Sequence, residues 1–390
     1  MKTNASLYIH IPFCASFCDY CDFFSVSAAE KSLNDDYIDS FITSLIKDIN
    51  YQIEYFNINQ IPTAYIGGGT PSVLGNKITR LFSALKEIPF FTPKEFTVEA
   101  NPESLTEEFL AACKQGGVNR LSLGVQTFHE SSRVSVNRAG NAAELEECLK
   151  SASRYFSGGA QGADLSADLM TGLPYQDEKT VKDDINRLRA FNPSHISLYS
   201  LTVENNTPLE EKIQKKEIEM PSLDKADSLW LFGRELLEDK GYNHYEVSNF
   251  ALDGKQCLHN LRYWQMKNWI GAGPSASGTI VDEQTAGARR FTYANDVDAY
   301  IKSPLITSAY CETIDKKTLL KDTILMGYRC RENIDNELFK SRFGCTIEEC
   351  IPKTLAKWKD KDKMFFLNAF LSDAFTEIEK RQERFPRQFS

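Results

Sequence analysis

The chain is poor in positive charge: 45 lysines and arginines stand against 54 aspartates and glutamates, a net charge of −9 over 390 residues. Nucleic-acid binders carry the opposite footprint, so no nucleic-acid partner is expected. No stretch approaches the roughly 18 uninterrupted apolar residues of a spanning helix, so no transmembrane segment is expected. The opening "MKTNASLYIHIPF" has no basic region followed by a long apolar run and a cleavage site, which excludes a secretory signal there. The simplest reading is a soluble, cytoplasmic chain. Clustered thiols in that compartment point to metal or redox chemistry rather than disulfides.

Such a cluster is present. Of ten cysteines, three fall within eight positions, Cys14, Cys18 and Cys21 in "YIHIPFCASFCDYCDFFS". Thiolates suit iron–sulfur clusters or zinc. A structural zinc site needs four protein ligands, and no second CxxC-like pair is near. A zinc scaffold completed from a distant residue therefore stays open, beside a four-iron cluster with one iron left for a small molecule. His10, leading into the loop, is either a partner beside the cluster or a plain strand position. Cys113, Cys148, Cys311, Cys330, Cys345 and Cys350 read as packed thiols in helical stretches. Cys257 reads the same way rather than as a ligand.

Strand-like and helix-like stretches alternate over the first 200 or so residues. "SLYIHI", "TAYIGG", "EFTVEAN", "RLSLGVQ", "DLSADLMTG" and "HISLYSL" read as strands. Helical patterns separate them, the first near 35–56 with Ile38, Phe41, Ile42, Leu45, Ile49, Ile53 and Phe56 on one face. Six βα units predict an α/β fold, a partial (β/α)6 barrel over 1–205. Residues 206–303, rich in aromatics and glycine, are expected to extend the barrel. A small, mostly helical C-terminal domain is expected over 304–390, with 379–390 as a solvated helix end and tail. Ligand groups of such folds gather where strands end. Cys14, "GGGT", Glu99, Gln126 and Asp168 fall there. The glycines of "YIGGGTPS" let the backbone approach a ligand closely, and the Lys-Ser/Thr ending of a nucleotide P-loop is missing.

The C-x3-C-x2-C spacing after a strand that opens a βα series resembles the radical S-adenosylmethionine (SAM) superfamily. "LYIHIPFC", "GGGTP", "EANPESL", "LSLGVQTF", "NRAG" and "DLMTGLP" resemble more closely the oxygen-independent coproporphyrinogen III oxidase family, over nearly the whole chain. The resemblance implies a [4Fe–4S] cluster on Cys14, Cys18 and Cys21, with SAM chelated by the open iron and cleaved to a 5′-deoxyadenosyl radical. It further implies SAM contacts from Tyr8, Gly68, Gly69, Thr70, Glu99, Gln126, Arg138 and Asp168, with Tyr20 as an additional one. An electron donor such as a flavodoxin or ferredoxin is implied as well.

Two features select a branch. The oxidases resemble C-x3-C-x2-C-x-C, and Phe23 stands at the fourth cysteine's position; only thirteen residues precede Cys14, fewer than the oxidase extension. Both weigh against coproporphyrinogen oxidation. "HNLRYW", residues 259–264, resembles the HNxxYW motif of the family's heme-chaperone branch. That resemblance implies heme as cargo for an acceptor protein, with His259, Asn260, Tyr263 and Trp264 as the heme-binding motif. A histidine can serve as axial ligand and the aromatics as a flat surface. A buried, hydrogen-bonded histidine among core aromatics is the competing reading of the hexapeptide. A radical SAM tetrapyrrole enzyme is the alternative function.

Overall fold

The computed structural model describes residues 3–29, 31, 33–157, 163–332 and 334–384; the tail end, 385–390, lies outside them. Six parallel strands stand side by side in chain order: β1 (Ser6–Ile11), β2 (Thr63–Gly68), β3 (Glu95–Ala100), β4 (Arg120–Gln126), β5 (Asp164–Thr171) and β6 (His195–Ser200). Successive strand residues point to opposite faces, and here both faces are covered. One face is apolar and lies under the helices: Leu7, Ile9 and Ile11 on β1, Phe96 and Val98 on β3, Leu121, Leu123 and Val125 on β4. The alternate positions are polar or small: Ser6, Tyr8 and His10; Thr63, Tyr65 and Gly67; Glu95, Thr97 and Glu99; Arg120, Ser122 and Gly124; Asp164, Ser166 and Asp168; His195, Ser197 and Tyr199. These line the lumen.

Helical crossovers hold the apolar face. The long helix Asp35–Tyr55 starts at Asn34, whose side chain accepts from the Tyr37 N–H, and buries Ile38, Phe41, Ile42, Leu45 and Ile49. Ile53 and Phe56 are partly buried against the same core. Helices Glu107–Gly116, Ala142–Phe156 and Glu178–Arg189 start on capping side chains of Thr106, Asn141 and Asp177, each satisfying backbone donors a bare helix start leaves open.

The barrel is open. β7 (Asn243–Glu246) and β8 (Asn249–Ala251) add antiparallel strands beyond β6. β9 (Trp269–Ala272) lies parallel beside β1, and β10 (Ser277–Asp282), β11 (Gly287–Thr292) and β12 (Tyr310–Ile314) continue from it antiparallel. The order is β7-β8-β6-β5-β4-β3-β2-β1-β9-β10-β11-β12. The segment after 304, which reads as mostly helical, thus begins with an edge strand. "YCETI" is largely exposed, and an exposed edge carries no alternating apolar signal. Helices Lys316–Gly327, Asn336–Phe343 and Leu367–Arg384 follow. They share a second core in which Leu320, Ile324, Phe339, Trp358 and Phe370 meet Val281 and Ala288 of the sheet.

Candidate functional site

The cysteine loop is pinned at its base and along one side. Phe13–Cys14 pairs in parallel with Val26–Ser27, and His10 Nε2 lies 3.1 Å from the Phe24 carbonyl while its Nδ1 meets the Tyr8 hydroxyl at 3.0 Å. His10 is therefore both a lumen strand position and a tie to the loop. On the far side, the Asp19 N–H donates to Val136 O at 3.0 Å, Asn137 Nδ2 to Phe17 O at 2.9 Å, and Arg138 Nη1 to Cys18 Sγ at 3.3 Å. Cys14 Sγ lies 3.6 Å from Thr70 Oγ1.

Cys14, Cys18, Cys21, Tyr20, Gly68, Gly69, Glu99, Gln126, Arg138 and Asp168 line one cavity of about 450 Å³ at the C-terminal ends of the strands. Tyr8 and Thr70 stand behind this wall, Tyr8 against His10 and Tyr65 in the lumen, and Thr70 bonded to Cys14 and to Asn101 Nδ2 at 3.0 Å. Among the described residues no three His, Cys, Asp or Glu side chains crowd a single ion-sized point; the thiols border a larger space. Phe23 lies on its rim, 70% exposed.

The chamber fits the implied cofactors on three counts. A Cβ on Gly69 would sit 2.8 Å from Phe13 O and 3.1 Å from Cys14 Sγ, so only glycine leaves the loop its path. Burial raises the Cys14 and Cys21 thiols, Cys21 to about 11, so thiolates there need a cationic centre to stabilise them. Gln126 Oε1 and Arg138 Nε are buried without hydrogen-bond partners, which calls for an occupant. Gln126 sits at φ +66°, in the left-handed region a non-glycine residue seldom adopts. Two half-buried acids line the same cavity. Burial pushes Glu99 up to about 7, against bonds from the Tyr65 hydroxyl (2.6 Å) and the Gly68 N–H (3.2 Å). Burial likewise pushes Asp168 up to about 6, against Ser197, Arg138 and Ser122. Such a pair favours a ligand bearing positive charge.

The hexapeptide lies elsewhere. Residues Leu258–Trp264 form a short helix across the opposite, N-terminal end of the barrel. The Glu95 carboxylate caps its start, accepting from the N–H groups of His259 (2.8 Å) and Leu258 (3.0 Å), while pairing with Arg120 at 3.0 Å. His259 is 1% exposed, with Nδ1 2.9 Å from Thr63 Oγ1 and Nε2 2.8 Å from the Tyr263 hydroxyl. On this helix His259 and Tyr263 share a face, and both ring nitrogens of His259 are occupied. Trp264 faces the C-terminal helices, with the Arg329 guanidinium 4.6 Å over its ring. Asn260 lends its backbone to Cys257, whose thiol lies 3.4 Å from Glu95. Thr63 and Gly68 bound β2, and at a rise of roughly 3.3 Å per residue the motif lies about 16 Å from the cysteine chamber.

Sequence reasoning passed over Tyr65, Asn101 and Tyr199. Asn101 accepts from Arg138 Nη2 at 3.0 Å and sits inside "EANPESL". Tyr199 closes β6 at the strand end where ligand groups gather. Tyr65 gave no signal, since its role depends on a lumen neighbour 34 residues away.

Residues 8–188 match the Radical SAM superfamily. The chain is 34% identical over 347 residues to "Heme chaperone HemW" of Lactococcus lactis, covering 88% of this chain and 86% of that one. It is 36% identical over 280 residues to HemW of Escherichia coli, covering 70% of each. Against radical S-adenosyl methionine domain-containing protein 1, mitochondrial, of Mus musculus, identity is 31% over 84% of this chain and 74% of that one. In fold it is similar to coproporphyrinogen III oxidase (HemN) from Escherichia coli, with a TM-score of 0.76 over 96% of this chain and 90% of that one at 18% identity. Among the described residues no helix is long and apolar enough to cross a membrane. At this identity over most of its length, the chain belongs to the HemW heme-chaperone family of radical SAM proteins.

Proposed function

We propose that the chain binds heme as cargo and passes it to an acceptor protein, using a [4Fe–4S] cluster held by Cys14, Cys18 and Cys21 together with SAM. The observation that carries the cofactor half is one cavity whose wall joins three thiols to two half-buried carboxylates, with Phe23 rather than a fourth thiol on its rim. A bound cluster with SAM supplies one-electron reductive chemistry at the sulfonium. The chain's own residues do the rest. Arg138 holds Cys18 in place and tempers the negative charge of the loop. Gly68 and Gly69 bring backbone close to the thiols, and Glu99 and Asp168 receive the cationic end of SAM. Gln126 and Tyr20 close the chamber, and Thr70 and Tyr8 brace it from behind. Phe17 and Phe23, 42% and 70% exposed, give a one-electron donor of the flavodoxin or ferredoxin class an apolar contact beside the cluster.

The heme half rests on family membership. Coproporphyrinogen oxidation is the second reading, favoured by the fold likeness and opposed by Phe23. The test is anaerobic reconstitution, then heme titration by absorption spectroscopy, beside an assay of coproporphyrinogen III with SAM and reductant. Stoichiometric heme uptake without porphyrinogen turnover supports the carrier. Turnover without heme uptake sinks it.

A further inference from the structure

With both nitrogens of His259 committed inside the barrel floor, an axial ligand for cargo iron has to be sought elsewhere. A second cleft, of about 550 Å³, opens between β6, β7, the helix Leu223–Asp239 and the segment 362–365. That volume is in the range of sites for cofactor-sized ligands. Its walls are aromatic and soft: Trp230, Phe365 and Met364. His244 also lines it, 5% exposed, stacked on Phe250 at 4.4 Å and edge-on to Trp230 at 5.8 Å.

The imidazole is arranged as a metal ligand is. Its Nε2 lies 3.2 Å from the Val247 carbonyl, which fixes the proton on that nitrogen. Its Nδ1 is buried and has no hydrogen-bond partner. A histidine that donates one ring N–H to a backbone carbonyl and leaves the other nitrogen bare has the tautomer and fixed orientation of metal-bound imidazoles. A buried nitrogen left unpaired is unfavourable in the empty protein, and a ligand gives it a partner. Burial also holds His244 down at about 4, so the ring is neutral near pH 7.

The polar side chains set the orientation of a ligand. The Arg234 guanidinium lies 5.9 Å from the Trp230 ring centre and 6.0 Å from that of Phe365, and its Nε stands 3.8 Å from Glu238 in a partly exposed ion pair that is longer than a hydrogen bond. It offers a carboxylate one charged partner. Asp362 is spent locally, accepting from the N–H groups of Met364 and Phe365 at 3.0 Å each, which fixes the position of both walls. Asp227 remains and repels a second carboxylate, which in an open cleft turns to water. Tyr199 and Ser200 line both this cleft and the cysteine chamber, so the two sites share the end of β6.

We propose that this cleft is the cargo site: an iron porphyrin packs between Trp230 and Phe365, takes the unpartnered nitrogen of His244 as axial ligand and sets one propionate on Arg234. The inference rests on the heme-carrier reading and goes beyond it by moving the ligand from the HNLRYW helix to β7. It is tested by titrating hemin into the cluster-reconstituted wild type, His244→Gln, Arg234→Met and His259→Asn, recording Soret difference spectra and low-temperature EPR of the ferric state. Glutamine keeps a donor for Val247, and cluster content per chain with circular dichroism reports the fold. The expected result is a loss of the imidazole-ligated signal and at least a tenfold weaker affinity in His244→Gln. Arg234→Met weakens binding severalfold with the signal unchanged, and folded His259→Asn keeps the wild-type spectrum. Wild-type spectra and affinity in folded His244→Gln overturn the cleft assignment alone. Absence of heme uptake by the wild type overturns the carrier reading and this inference with it.

Discussion

Replacing His259 by alanine separates a structural motif from a heme ligand. The side chain supplies two hydrogen bonds, to Thr63 and Tyr263, and a ring packed against Tyr65 at 5.2 Å and Tyr263 at 4.8 Å between centres. Thr63 keeps a partner in Ser6 Oγ at 2.8 Å, so that loss is about 1 kcal/mol. The buried Tyr263 hydroxyl is left unpaired, about 1–3 kcal/mol. The space vacated by the ring adds about 1–2 kcal/mol. The sum, about 3–6 kcal/mol, is a large share of the ~5–15 kcal/mol that holds a typical domain together. On the order of 10 °C in Tm follows, read by circular dichroism. The variant also changes acid sensitivity. Burial, and then the Arg262 charge, lower His259 from 6.5 to about 3. The unfolded chain binds this proton below about 6.5 and the folded chain resists it down to about 3. Its contribution is therefore intact above 6.5 and is lost as pH falls through that window. His259→Ala lowers Tm most at neutral pH, and the wild-type advantage shrinks toward pH 4. A variant as stable as wild type that loses heme would refute this reasoning, and would mean that the helix leaves the barrel floor to meet its cargo.

Four further outcomes follow from the chamber. SAM affinity, measured by calorimetry on the clustered protein, rises with pH between about 5.5 and 7.5, because a cationic ligand needs Glu99 (about 7) and Asp168 (about 6) ionised; between those two values each pH unit costs about tenfold, and below the Asp168 value the loss is steeper. Tyr65→Phe removes the 2.6 Å bond that favours the Glu99 carboxylate and moves that midpoint to higher pH, and an unmoved midpoint refutes the link. Gly69→Ala drives a Cβ against Phe13 O and Cys14 Sγ and lowers iron and sulfide per chain with unchanged circular dichroism. Cys18→Ser abolishes the cluster's visible absorption while leaving thermal stability of the apoprotein within about 1 kcal/mol of wild type, since the thiol is partly exposed.

Much of the barrel was legible because its strands obey a period of two. "SLYIHI", "EFTVEAN" and "RLSLGVQ" contain the observed β1, β3 and β4, and the apolar face of the 35–56 stretch is the buried face of Asp35–Tyr55. The cysteine loop was legible because three thiols at short spacing have few other uses. What was hidden depends on partners far away in the chain. β9 is a four-residue strand that earns its place by pairing with β1, and β12 pairs at an exposed edge with β11. Asn101 and Tyr65 matter through Arg138 and Glu99, and no local pattern announces either contact. His244 is silent in sequence for the same reason: its chemistry comes from a carbonyl three residues on and aromatic walls brought from 230 and 365.

The lumen explains why residues at the barrel floor belong to the same physical argument as the cysteine chamber. Polar side chains on six adjacent strands cannot each reach water, so each must find a partner inside or be covered. At the floor, Glu95 and Arg120 pair, and the remaining valences of Glu95 are taken by the start of the HNLRYW helix. One level up, His259 packs against Tyr65, and Tyr65 in turn donates to Glu99 at the chamber wall. A change in the hexapeptide therefore reaches Glu99, the carboxylate proposed to receive SAM, without touching the cysteine loop. Tyr263→Phe tests the connection at small cost to packing: it removes one hydroxyl from His259 and leaves the ring in place. A shift in the pH midpoint of SAM binding with unaltered heme affinity places the motif in the barrel's internal network; lost heme affinity with an unmoved midpoint places it in the cargo site instead.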